Sequence, residues 1–299
     1  MTAGLRYAAF RQRLAESGPG WALASPAVLW LFVFSVLPIS LMVAMSFWKS
    51  TIFGTRPDFI FDNYQRVFSN WLYTGQLLST LGLAIATTLI SLVVSYPIAL
   101  MLSRLKGHRK SAFVLLLFIP FWSSYVVRTF VWLPILGRNG AINQFFMWAG
   151  VIDQPVDFLL YNAGSVLLGL VYVFTLFMTL PIYVTLDKLD PALLEAAADL
   201  GARPLQVFAR VIVPLSLPGV MSGSIMVFLL SVGAYVTPQL LGGPSGLMFG
   251  NIIAAQFLSD NNWAFGSALA CSMMVSVMAI ILIAGRFVGL QKAFSGGHG

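Results

Sequence analysis

The side chains that could carry out chemistry are few in this sequence, and their spacing excludes most kinds of active site. The single cysteine, Cys271, can form no disulfide within the chain, and the two histidines, His108 and His298, stand far apart. A metal site needs clustered ligands, and a nucleophile needs an adjacent base. We therefore predict no catalytic residue, no metal site and no cofactor held by this chain.

One acidic pair does stand at helical spacing. Glu195 and Asp199 are four residues apart and so share one face of a helix. Asp190 can cap that helix, Pro191 suits its first position, and Gly201 can end it in the left-handed conformation. The sequence therefore predicts a short amphipathic helix with the two acids on one side.

The opposite side of this helix is apolar, and a second helix is predicted to follow. Leu193, Ala196, Ala197 and Leu200 line the apolar side. Pro204 can open the second helix from Leu205, and we expect Pro214 to interrupt it. The segment 187–217, called the elbow below, is thus predicted to be a helix-turn-helix too short for a core of its own. It could lie on the membrane surface or bind a protein, and its acids fit poorly beside an anionic leaflet.

The elements that position the elbow are membrane spans. The chain of 299 residues is 59% hydrophobic and 9% charged, against roughly 45–50% and about 25% in soluble domains. A bilayer needs about 20 apolar residues per helix. Charge-free windows of that length predict an all-α membrane protein with six spans, near Ala27–Phe47, Leu77–Leu102, Ala112–Leu133, Ala163–Leu186, Pro218–Val236 and Gly266–Ala284. A cleaved signal peptide is the alternative for the first, although its apolar stretch exceeds the roughly 7–15 residues of a signal core.

The positions of the cations predict the orientation. Of the 17 Lys and Arg residues, all but Lys49, Arg56, Arg66, Arg128 and Arg138 fall on one side of the six spans. Because such residues are retained in the cytoplasm, both termini are predicted to be cytoplasmic. The chain then divides into a cytoplasmic arm 1–26, a transmembrane domain 27–286 that includes the elbow, and a cytoplasmic tail 287–299. The net charge of +7 reflects this distribution, and we expect no nucleic-acid partner.

Three segments, 48–76, 134–162 and 237–265, are predicted to lie outside. The second contains 141–152, whose apolar residues recur at helical spacing. This stretch could be an interfacial helix or a packed loop helix. The third begins with turn chemistry, Thr237-Pro-Gln-Leu-Leu-Gly-Gly-Pro-Ser-Gly, and is predicted to be a loop, so the apolar window before it counts as one span.

The elbow resembles a known signature. Glu195-Ala-Ala, Gly201, Val211 and Pro214 match the spacing of the EAA motif of ATP-binding-cassette importer permeases, with Val211 and Val213 in place of Ile and Leu. The resemblance implies the type I importer permease fold and a coupling helix that fits a groove of a separate ATPase subunit. It assigns docking to Glu195, Ala196, Ala197, Asp199, Gly201, Arg203 and Pro214.

The rest of the chain is similar to the first permease of spermidine/putrescine-type importers. Shared pieces include Asp62-Asn-Tyr64, Pro120-Phe-Trp122 and Asp187-Lys-Leu-Asp190. The resemblance implies half of a path for a small polar solute, a polyamine or a related compound, across a bacterial inner membrane. It also implies a second related permease, two ATPase subunits that bind ATP and Mg²⁺, and a secreted solute-binding protein. No Gly-x-x-x-x-Gly-Lys-Ser/Thr occurs, so we expect no ATP hydrolysis by this chain.

The solute path is predicted from aromatic and polar residues, because no Asp or Glu falls in a predicted span. Arg128 could be a gate, an anion site or an interface anchor. The other candidates, each of which could instead serve core packing, an interface anchor or a loop contact, are Trp122, Tyr125, Tyr172, Tyr235, Asn251 and Gln256. A secondary transporter or channel is the alternative function, but it usually places ionisable residues in its spans. A membrane enzyme would need a nucleophile and a base there.

Overall fold

The computed structural model describes residues 25–51 and 54–295, without the side chains of 287–295. Most of the predicted arm 1–26, and the tail beyond 295, lie outside the described residues. The helices are α1 (Ser25–Ser46), α2 (Asp62–Ser69), α3 (Trp71–Arg104), α4 (Gly107–Phe118), α5 (Tyr125–Phe130), α6 (Trp132–Leu136), α7 (Ala141–Trp148), α8 (Ala163–Asp187), α9 (Pro191–Asp199), α10 (Pro204–Val232), α11 (Val236–Leu241), α12 (Phe249–Leu258) and α13 (Trp263–Ser295).

Five of the six predicted spans are confirmed as helices long and apolar enough to cross a membrane, namely α1, α3, α8, α10 and α13. The third is different. The span predicted near Ala112–Leu133 is present only as a bent pair, because Gly107–Trp122 and Tyr125–Trp148 meet at 90°. Ile119–Trp122 forms a 3₁₀ turn, and the extended backbone of Ser123 and Ser124 then breaks the helical hydrogen bonding.

The prediction that Pro214 interrupts the second elbow helix is wrong, since α10 runs through Pro214. Phe208–Ile212 forms a π-helical turn, in which the Val213 N–H donates to the Phe208 carbonyl five residues back. Pro214 follows directly as one of the first residues of the regular helix. The π-helical turn accommodates Pro214, which has no backbone N–H to donate. The second elbow helix and the fifth span therefore form one continuous helix.

The core is built around α8, which packs against both α3 and α10. Leu170, Met178 and Ile182 of α8 are fully buried there. Gly219 of α10 permits the close approach, because a Cβ at this position would lie 2.5 Å from the Pro181 carbonyl oxygen. A second cluster joins α3, α10 and α13. By contrast, α1 packs on α13 and exposes its apolar side chains along most of its length.

Two ends of the bundle can be distinguished. The elbow end carries the junction of α3 with α4 and the junction of α8 with α9, while the opposite, loop end carries the remaining long connections. There the chain departs from all-α structure in a small antiparallel hairpin, Lys49–Thr51 with Gly54–Arg56. The helix predicted within 141–152 is confirmed as α7. The loop predicted over 237–265 contains α11 and α12 as well as turns.

Candidate functional site

The elbow is closed at both ends of α9 by local hydrogen bonds. The Asp190 carboxylate accepts from the Ala192 N–H at 2.9 Å, with Pro191 in the first turn, as predicted. At the other end the Gly201 N–H donates to the Ala198 carbonyl and the Ala202 N–H to the Ala197 carbonyl. These two bonds form a Schellman motif, which requires the positive φ of +80° found at Gly201.

The outer face of the elbow is exposed and mixes charge with large apolar side chains. Glu195, Asp199 and Arg203 are exposed. Leu200 and Leu205 are exposed to 89% and 77% respectively. The apolar side predicted from spacing is therefore not the buried one. The side chain of α9 that packs against the core is Leu194, which spacing did not single out.

The elbow is connected to α3 and α4 as well as to α8 and α10. The Phe208 ring packs edge-on against Tyr96 of α3, at 5.8 Å between ring centres. The Tyr96 hydroxyl shares a hydrogen bond of 2.9 Å with the Ser216 hydroxyl. An ion pair at 2.5 Å joins Lys110 of α4 to Asp187 at the end of α8, with both side chains 30% exposed. The elbow therefore contacts or continues into four helices of the bundle, namely α3, α4, α8 and α10.

Two cavities lie beside the bend of the third span and share one lining residue. The large cavity, of about 610 Å³, lies between α3, α4, the 3₁₀ turn, α5, α6 and α8. The small cavity, of about 380 Å³, lies between α5, α8, the end of α10 and the start of α11. Both are lined mainly by apolar side chains, and Arg128 lines both. Their sizes fall within the range of about 300–1,000 Å³ typical of small-molecule sites.

Four of the predicted path residues come together at these cavities. Tyr172 lines the large one and packs edge-on against Trp132 at 5.4 Å. Tyr125 and Tyr235 line the small one, and the Tyr125 hydroxyl hydrogen-bonds the Thr237 hydroxyl at 2.7 Å. Arg128 lines both cavities, so its side chain lies between the two spaces.

The other three predicted path residues line neither cavity. Trp122 is 84% exposed on the surface of the 3₁₀ turn. Asn251 is buried, and its amide donates to the Tyr235 carbonyl and to Gln239. Gln256 donates to Asp260 at the end of α12. Asn251 therefore binds the backbone at Tyr235, a contact that sequence spacing alone does not reveal.

Sequence reasoning missed several residues that matter at these sites. Phe121 lines the large cavity and Phe174 and Phe177 the small one. The two rings of α8 stand three residues apart, which places them on one helix face and was a usable signal. The exposure of Leu200 had no such signal, because it depends on how α9 sits on the bundle. Within the described residues, no group of three or more His, Cys, Asp or Glu side chains could hold a metal ion.

Comparison with known proteins accounts for this architecture. The spermidine/putrescine transport system permease protein PotB of Escherichia coli K12 is 37% identical over 255 residues, covering 85% of this chain and 92% of that protein. Its counterpart in Haemophilus influenzae is 36% identical over 256 residues, covering 85% and 88%. A chain of a bacterial ABC transporter that imports the acidic polysaccharide alginate shares the fold, with a TM-score of 0.73 at 18% identity over 93% of this chain and 97% of that one.

The family model for binding-protein-dependent transport system inner membrane components matches residues 14–289, which is nearly the whole chain. Five long apolar helices and one bent pair agree with a multi-pass location in a bacterial inner membrane. The chain therefore belongs to the family of binding-protein-dependent transport system inner membrane components and is a permease of an ATP-binding-cassette importer.

Proposed function

We propose that this permease forms half of the path for a polyamine such as spermidine or putrescine. The support is the 37% identity to a spermidine/putrescine permease over most of both chains. The aromatic lining of the two cavities suits ammonium groups, which bind to ring faces. The other half of the path belongs to a second related permease, and a secreted binding protein delivers the solute to the loop end.

The elbow docks an ATPase subunit, and one observation carries this proposal. Leu200 and Leu205 are the most exposed large apolar side chains of the elbow, with the exposed, charged Asp199 and Arg203 beside them in sequence. Exposed apolar surface of this kind marks an interaction site. Glu195, Asp199 and Arg203 would make polar contacts around it, and the EAA resemblance adds Ala196, Ala197, Gly201 and Pro214.

The remaining assignments follow from the docking. Two ATPase subunits, one for each permease, would bind ATP and Mg²⁺ and hydrolyse the nucleotide. Because ATP is a cytoplasmic nucleotide, the elbow end and both termini would then lie in the cytoplasm. The arm 1–26 and the tail 287–299 are then cytoplasmic, and residues 27–286 form the membrane domain, with lipid around its outer surface. Closing and opening of the ATPases would bias the two permeases between inward and outward states.

The test uses the complete transporter reconstituted in vesicles. With ATP and the binding protein present, the unchanged transporter should accumulate labelled spermidine or putrescine. Glu195→Arg places a cation where the docking face carries an acid and should abolish both uptake and solute-stimulated ATP hydrolysis. Asp58→Arg, the same change at an exposed acid of the loop end, is the control and should retain both. Wild-type stimulation in Glu195→Arg refutes the docking assignment, and accumulation without ATP refutes the importer.

A further inference from the structure

Among the residues that the structure describes, Arg128 alone lines both cavities. Its guanidinium carbon lies 4.2 Å from the centre of the Phe121 ring. Its Nε atom is buried and has no hydrogen-bond partner in the described part of the chain. The cation therefore rests on an aromatic face at the junction of the two spaces.

This position is unusual for a charged group. A buried donor without an acceptor costs free energy, so such groups are normally paired. No Asp or Glu falls in the predicted spans to pair with Arg128. The Phe121 ring, through its negatively polarised face, supplies the favourable contact that the structure does show.

The same ring begins an aromatic series that leads from the large cavity to the small one. Phe121 packs edge-on against Phe177 at 5.4 Å, and Phe177 packs against Phe174 at 6.2 Å. An ammonium group that moved from one cavity to the other would meet these rings and Arg128 together. Arg128 and such a solute would then compete for the Phe121 face.

We propose that Arg128 is a specificity-determining residue that acts as a tethered cation. It occupies the Phe121 ring when the path is empty, and a cationic solute must displace it to pass. A solute with two or more ammonium groups can use one of them to displace the guanidinium from the Phe121 ring. A second ammonium group of the same solute can stay in contact with another ring. A singly charged amine cannot do both, so the tethered cation favours polyamines. This inference rests on the proposed function, because it takes a polyamine as the solute.

The test measures uptake by the complete reconstituted transporter while the concentration of spermidine-loaded binding protein is varied, so that KM reports entry of solute from that protein and not its loading. Arg128→Gln removes the competitor and should lower KM about 2- to 30-fold, the range that one cation–π contact supplies, with kcat nearly unchanged. The matched control is Arg66→Gln. Arg66 also lies over a phenylalanine, 4.3 Å from the centre of the Phe265 ring, but it is exposed and lines neither cavity, so KM should not change.

A double-mutant cycle separates competition from a structural role. In a Phe121→Leu background the shared ring is absent, so Arg128→Gln should no longer lower KM. If Arg128→Gln does not accumulate in the membrane, Arg128→Lys replaces it, because an ammonium does not stack as a guanidinium does. That variant should lower KM by a smaller factor.

Three results would overturn the inference. An unchanged KM shows that Arg128 does not compete, and a raised KM shows that it contacts an anionic group. An equal fall in KM with and without Phe121 shows that the ring is not the shared site. If the unchanged transporter takes up no polyamine, the proposed function fails together with this inference, whereas uptake with an unaltered KM in the variant refutes the inference alone.

Discussion

Gly201 offers the sharpest test of how the elbow is built. Its φ of +80° is disfavoured for residues with a side chain, and a Cβ at this position would meet no atom within 4 Å. Gly201→Ala therefore introduces no clash within the chain. The cost is conformational, about 1–2 kcal/mol for holding an L-residue in the left-handed region.

That cost has a calculable effect on docking. Because 1.4 kcal/mol is a factor of ten, the population of the closed Schellman turn should fall by about 5- to 30-fold relative to open alternatives. If the ATPase binds the closed turn, its apparent affinity for the permease falls by up to the same factor. The measurement is a titration of ATPase subunits onto the permease in nanodiscs, read as bound fraction and as solute-stimulated hydrolysis.

Gly201→Asn is the matched variant, because asparagine tolerates the left-handed region better than alanine. It should lose clearly less affinity than Gly201→Ala, although its side chain is larger. Equal losses in the two variants would show that the ATPase rejects any side chain at this position, and the conformational reasoning would be wrong. Full affinity in Gly201→Ala would show that docking does not need the closed turn.

Three further outcomes are expected. Gly219→Val should lower the melting temperature of the purified permease markedly, since its Cβ would lie 2.5 Å from a carbonyl oxygen. The control, Gly82→Val, has no atom within 4 Å of its Cβ and should not lower the melting temperature. Similar shifts in the two variants would contradict the packing of α10 on α8. Lys110→Ala should leave the melting temperature of the purified permease nearly unchanged, because partly exposed ion pairs contribute little to stability, and a drop as large as that of Gly219→Val would refute this. In a Cys271→Ala background, His108→Cys should react with a membrane-impermeant maleimide only from the cytoplasmic side, and labelling from outside would reverse the proposed orientation.

The elbow could be predicted because its signals are local. Asp190, Pro191 and Gly201 act within one or two turns of the residues that they cap, so the sequence contains all that the first helix needs. The failure at Pro214 has the opposite origin. A π-helical turn carries the helix through it, and no residue type signals such a turn as clearly as proline signals a break.

The bend of the third span and the cavities depend on contacts that are distant in sequence. An apolar window shows that Ala112–Leu133 can enter a membrane but not that its backbone turns at Ser123 and Ser124. Arg128 was identified from its charge alone, since an ionisable residue at membrane depth is a functional candidate. Its contact with Phe121 and its place between two cavities required the packing of α8 against the bend.

The contacts of the elbow also indicate which of them transmits motion to the spans. The ion pair of Lys110 with Asp187 links the elbow end to α4, but a partly exposed pair of this kind contributes little to stability. The seam between α8 and α10 is stronger, because at Gly219 the two backbones approach so closely that no side chain fits between them. Close-packed seams resist separation and move as units. We therefore expect the elbow to move α8 and α10 together. Lys110→Ala should leave the ratio of solute transported to ATP hydrolysed almost unchanged. Gly219→Val should lower that ratio in the fraction of the protein that still assembles.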